Sequence, residues 1–111
     1  MIYKSYDILD KQIITSYIQS GDKDKITSAL LSLFTNKIDK VLAIKYSNWA
    51  MEHSDLDIKK IGIIGMGHIA RVYGLDNVNI FKKNIESIEQ SKNMELIGIL
   101  NDAKDDLSIF I

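Results

Sequence analysis

The sequence predicts an all-α fold of six helices arranged as three stacked antiparallel hairpins. Three observations lead there. Apolar residues recur at helical spacing in six separate stripes. Capping residues stand just ahead of most stripes, and glycine or a short polar segment follows several of them. The 111-residue chain contains no proline, the residue that most strongly interrupts a helix.

The first stripe is Leu9, Ile13, Ile14, Tyr17 and Ile18, with Gly21 as its stop. The second is Ile26, Leu30, Leu33 and Phe34, capped by Asp22. Asn36 is placed to cap the third, which carries Ile38, Val41, Leu42, Tyr46, Trp49 and Ala50; Trp49 and Tyr46 read as core. Ser54-Asp55-Leu56-Asp57 has the spacing of a capping box and should open a helix that runs to Gly74. Asp76 or Asn77 can cap a fifth helix bearing Val78, Phe81, Ile85 and Ile88, with Lys82, Lys83, Glu86 and Glu89 on its solvated face. Asn93 precedes the last stripe, Ile97, Leu100, Ala103, Leu107 and Phe110. The connections are about two to four residues long, as in antiparallel helix hairpins. The pairs are then 7–35, 37–74 and 77–110. These are units of about 30–40 residues, the size of HEAT or armadillo hairpins, stacked into one domain over 1–111.

Composition narrows the function. Hydrophobic residues make up 46% and charged residues 26%, so the chain can bury an ordinary core. Fourteen basic residues against fifteen acidic ones supply no global field for nucleic acid or an anionic membrane, and neither is an expected partner. The charge is uneven, however. From Asn93 to Ile111 the only base is Lys104, against Glu95, Asp102, Asp105 and Asp106. The absence of cysteine removes disulfides, thiolate nucleophiles and zinc–sulfur sites. His53 and His68 have no metal-ligand spacing, and the aspartates lack the pattern of a calcium loop. Neither an apolar leader nor a run of roughly 18–20 apolar residues is present, so a cytoplasmic location is expected. The chain is expected to act without metal, cofactor or catalysis.

One motif competes with the helical reading. Lys60-Ile61-Gly62-Ile63-Ile64 followed by Gly65-x-Gly67-x-x-Ala70 matches a dinucleotide-binding fingerprint, with Met94–Asp102 as a second strand and Asp102 on a ribose. About half the chain precedes the motif and reads helical, and too little follows Ala70 for the remaining strands and crossovers. As a helix, 55–74 is apolar over most of its circumference and belongs at the centre of the fold. Its seams are Ile58, Ile61, Gly65, Ile69 and Val72, beside Gly62, Met66, Ile69 and Tyr73, with the glycines admitting close neighbours.

Gly67-His68-Ile69-Ala70-Arg71-Val72-Tyr73-Gly74, with Asn101-Asp102-Ala103-Lys104-Asp105-Asp106-Leu107-Ser108-Ile109-Phe110 near the C-terminus, resembles a family of small HEAT-like bacterial proteins. There a G-H-[IL]-A-R-x-x-G helix is followed by a terminal D-A-x-D-D-[IL]-x-x-F helix. The resemblance covers about 55–110. This chain has Met66 and Tyr73 where members often have leucine or a second histidine. Such proteins occur among the immunity proteins of polymorphic toxin and contact-dependent growth inhibition systems. The resemblance therefore implies a cytoplasmic protein that binds and blocks a cognate toxin domain, a nuclease being one basic candidate. A general helical-repeat adaptor is the alternative. The candidate toxin-binding residues are Asp57, Asp76, Glu95, Asp102, Asp105 and Asp106. His68 and Arg71 are expected to form an internal polar network, with Arg71 buried against Asp102 or Asp106, while Asp105 points outward.

Overall fold

Aspartate sets where the first four helices begin. Asp10 accepts from the Ile13 amide (2.9 Å) and opens α1 (Lys11–Gln19). Asp22 accepts from Asp24 and Lys25 and opens α2 (Lys23–Thr35). Asp39 accepts from Leu42 at 3.0 Å and opens α3 (Lys40–Met51). Asp55 accepts from Asp57 and Ile58 and opens α4 (Leu56–Val72). Each carboxylate satisfies amides that have no partner inside the first turn. A 3₁₀ turn, Val78–Phe81, leads into α5 (Lys82–Gln90), and Asn93 caps α6 (Met94–Phe110) through the Leu96 amide. The computed structural model describes residues 10–74 and 78–110, and among them all regular structure is helical. Leu9, Asp76 and Asn77 lie outside the described residues, as does the side chain of Phe110.

Helix order matches the sequence expectation, but two caps move and α5 starts late: Val78–Phe81, expected inside it, is a 3₁₀ turn, and α5 opens at Lys82 with no side-chain cap. Asn36 closes α2 instead of opening α3: its backbone amide and its side-chain amide both donate to the Ser32 carbonyl at 3.1 Å. Asp55, not Ser54, caps α4. That helix stops at Val72, and Gly74 takes a left-handed φ of 78° while its amide reaches back to Ile69 and Ala70. This is the glycine stop expected of a helix C-terminus.

The helices pair in chain order, α1 with α2, α3 with α4 and α5 with α6, and α4 also packs between α2 and α6. So α2, α4 and α6 make one layer, and the first helix of each pair lies against its partner. Polar side chains tie the first helices together. Lys11 pairs with Asp39 (3.1 Å), and Asn84 donates to Asn48 and Glu52 (2.8 and 3.0 Å).

α4 is the centre, as its apolar circumference predicts. Ile58, Ile63, Met66, Ile69 and Ala70 are all buried. Its glycines face different neighbours. A Cβ on Gly62 would meet α3 backbone, and one on Gly65 would strike the Phe34 ring of α2. The lysine-to-alanine run 60–70 is thus one continuous helix, which overturns the strand that the dinucleotide reading requires; Met94–Asp102 is helical too. The inner face of α3 is built from Ala43, Tyr46, Ser47 and Ala50, and Val41, expected in its core stripe, is 76% exposed. On the helix Val41 lies roughly opposite Ala43 and Ala50, so it faces outward while small residues meet Gly62. Ser47 Oγ then donates to the Gly62 carbonyl at 2.8 Å. Trp49 is half-buried, edge-on to Tyr46 and His53, and so lies at the border of the core rather than within it.

Candidate partner-binding groove

The side of α4 left open faces outward beside α6. Along it run Lys60, Ile64, His68 and Arg71, spaced three or four apart and so on one helix face. The facing row on α6 is Glu95, Ile99, Asp102 and Asp106. The buried face of α6, Leu96, Leu100, Ala103 and Leu107, docks on the core and leaves this row at the surface. Between the rows lies a groove of about 180 Å³ lined by Ile64, Arg71, Ile99, Asp102, Ala103 and Asp106.

Gly67 sets how close the two rows come. A Cβ there would lie 2.6 Å from a carboxylate oxygen of Asp106, so the missing side chain lets that carboxylate settle on α4. One turn on, Arg71 Nη2 donates to His68 Nδ1 at 2.9 Å and lies 3.9 Å from the same carboxylate. Accepting at Nδ1 requires a neutral ring with its proton on Nε2.

The candidate residues fall into two sets. Asp57, in the first turn of α4, is held by Lys23 at 2.7 Å, and that lysine also reaches Asp55 at 3.2 Å. Glu95, in the first turn of α6, pairs with Lys60 at 3.0 Å. These two carboxylates are already matched within the chain. Asp102 and Asp106 line the groove with Arg71, whereas Asp105 is exposed and not part of that lining, and among the described residues Asp102 and Asp105 have no ion-pair partner. Asp76 lies outside the described residues.

The burial expected of Arg71 is corrected. Its side chain is 43% exposed and that of Asp106 31%, because both sit on the rim where α4 leaves the core. A pair in that setting contributes at most about 1 kcal/mol, not the several expected of a buried charge. The apolar floor of the groove, Ile64 (41% exposed) and Ile99, is not among the residues that the sequence marks as candidates. A signal for it was available: Ile64 stands four residues from both Lys60 and His68, on the polar stripe of an otherwise apolar helix.

The electrostatics of the site follow from burial and neighbours. Burial first, and then the Arg71 guanidinium, push the His68 pKa below its ordinary 6.5, while Asp106 pulls the other way. Asp39 and Asp55 are held below the usual carboxylate value of 3.8, first by the amides of Leu42 and Ile58 and then by Lys11 and Lys23. The folded state thus binds the His68 proton more weakly than the unfolded chain does. Its stabilising effect is complete above pH 6.5 and declines as pH falls through the folded value. The two caps contribute above pH 3.8 and fail as pH drops through their own lowered values. A plot of Tm against pH should therefore descend in two steps, and His68→Gln should abolish the upper one only. An upper step that persists in that variant would show that another group carries it.

Among the described residues no three His, Asp or Glu side chains are grouped to hold a metal ion, and no helix is long and apolar enough to cross a membrane. Comparison of the chain with models of protein families, with curated proteins and with solved structures finds no match.

Proposed function

We propose that this chain is an immunity protein that binds a cognate bacterial toxin domain through the α4–α6 groove and blocks it in the cytoplasm. One observation carries the reading. The two segments on which the family resemblance rests are far apart in sequence, yet they meet across this groove. Gly67, His68 and Arg71 come from the first, and Asp102, Ala103 and Asp106 from the second. A shared surface gives one reason for both segments to take the form they do. It is acidic, with the Asp102 carboxylate free of any ion pair among the described residues and Asp106 beside it, and it surrounds an apolar strip. That composition suits a basic protein surface, for which complementary charge speeds association and fixes orientation.

Co-expression tests the proposal. The toxin domain encoded directly upstream should arrest growth, and the wild-type chain should restore it. The Asp102→Lys/Asp105→Lys variant should keep the wild-type Tm, since both residues are exposed, and lose protection. Failure of the wild-type chain to protect sinks the immunity reading. Full protection by the charge-reversed variant moves the binding surface away from this groove.

A further inference from the structure

We propose that the α4–α6 groove is a socket for a single arginine side chain of the partner protein. Its stem would lie on Ile64 and Ile99, and its guanidinium would sit between Asp102 and Asp106. The inference rests on the protein-binding reading above and gives that partner a defined chemistry. Size is the first argument. At about 180 Å³ the groove is smaller than the roughly 300–1,000 Å³ of pockets that take drug-sized ligands, and it admits one long side chain rather than a helix.

The lining is the second. Ile64, Ile99 and Ala103 offer an apolar wall, with the carboxylates of Asp102 and Asp106 beside it. A long side chain with an apolar stem and a cationic head matches both parts at once. Charge is the third. Lys23 and Lys60 already occupy Asp57 and Glu95, whereas Asp102 has no ion-pair partner among the described residues. Asp106 is only loosely neutralised at 3.9 Å, because the guanidinium of Arg71 is engaged by His68 at 2.9 Å.

Geometry selects arginine over lysine. Asp102 and Asp106 are one helical turn apart, so their carboxylates flank a common space. A planar guanidinium with five donors can bridge two such acceptors, and it gives up its hydration more readily than an ammonium. Arg71 lies along the same wall 3.9 Å from Asp106, so an incoming guanidinium would depend chiefly on Asp102, which has no ion-pair partner among the described residues.

Side-chain analogues test the socket on the whole chain without any toxin. Methyl NMR spectra would be followed while n-propylguanidinium, n-butylammonium or 1-butanol is added. Saturable shifts at Ile64, Ile99 and Ala103 are expected with n-propylguanidinium, at several-fold lower concentration than with n-butylammonium, and none with 1-butanol. Asp102→Asn should lose them while the remaining methyl signals stay in place. Equal shifts with 1-butanol, undiminished shifts in Asp102→Asn, or no saturation would overturn the socket. Parity between the two cations would overturn the choice of arginine. A chain that binds n-propylguanidinium but protects against no toxin sinks the immunity reading and leaves the socket. Protection without analogue binding does the reverse.

Discussion

Gly62→Ala should lower stability by about 2–3 kcal/mol, even though the same change in an exposed helix is favourable. The new Cβ would lie 2.7 Å from the Met51 amide nitrogen, 2.8 Å from Ala50 Cβ and 2.9 Å from the Ser47 carbonyl oxygen. Two of those three atoms belong to the backbone of α3 and cannot rotate aside. The helix as a whole has to move off α4, which also lengthens the hydrogen bond from Ser47 Oγ to the Gly62 carbonyl. Alanine recovers only about 1 kcal/mol of helix propensity, so the clash decides the sign. Gly98 supplies the control. It is also inside a helix, α6, but nothing lies within 4 Å of its missing Cβ. Gly98→Ala should therefore raise stability by up to about 1 kcal/mol. Urea unfolding of both variants with unchanged m-values is the measurement. If Gly62→Ala proves as stable as the wild type, α3 and α4 pack less closely than described.

Gly65 and Gly67 mark the other sides of α4, with different neighbours. The Phe34 ring, 2.6 Å from a Cβ at Gly65, is a buried side chain held by the core of α2. Asp106, facing Gly67, is a rim carboxylate with room to swing. A glycine-rich stretch that imitates a phosphate-binding loop in sequence is thus explained by packing. α4 touches α3, α2 and α6 in turn, and at each contact it lacks the side chain that would hold the neighbour away.

The parts of this fold legible in the sequence are those written in large apolar residues and capping aspartates. Asp22, Asn93 and the Gly21 stop fall where expected, Gly21 with a left-handed φ of 77°. The inner face of α3 escapes the apolar pattern because its contact surface is small: Ala43, Ser47 and Ala50 carry no strong hydrophobic signal, while the larger Val41 points to solvent. Small residues matter here only because glycine lies opposite, and a pairing between two helices is invisible along either one. The same limit applies to the groove. Asp102, Asp105, Asp106, His68 and Arg71 could be singled out by type. The exposure of Arg71 depends on how far α6 reaches over α4, which no single-helix pattern contains.

Tyr73 shows most clearly what position along the chain conceals, and its hydroxyl sets the second large effect. The residue closes α4, yet its phenol reaches the turn between α2 and α3. There the oxygen accepts from the Ile38 and Asp39 amides at 2.9 and 3.1 Å, and its proton serves the carbonyls of Asn36 (2.9 Å) and Leu33 (3.1 Å). One donor and two lone pairs are all a phenol offers, so the group is fully used. In Tyr73→Phe, the Ile38 amide keeps its short contact to the Asn36 carbonyl at 2.7 Å, but among the described residues the Asp39 amide has no other partner. Leaving a half-buried amide and a carbonyl short of a partner should cost about 2 kcal/mol. The damage should also spread, because Asp39 caps α3 and binds Lys11 of α1, so a loosened turn weakens the junction of three helices. Hydrogen exchange locates the effect: the Asp39 amide should lose protection first, with the amides of the first turn of α3 close behind. If Tyr73→Phe matches the wild type in both stability and Asp39 protection, the phenol is a bystander and the α2–α3 turn is held by its own backbone.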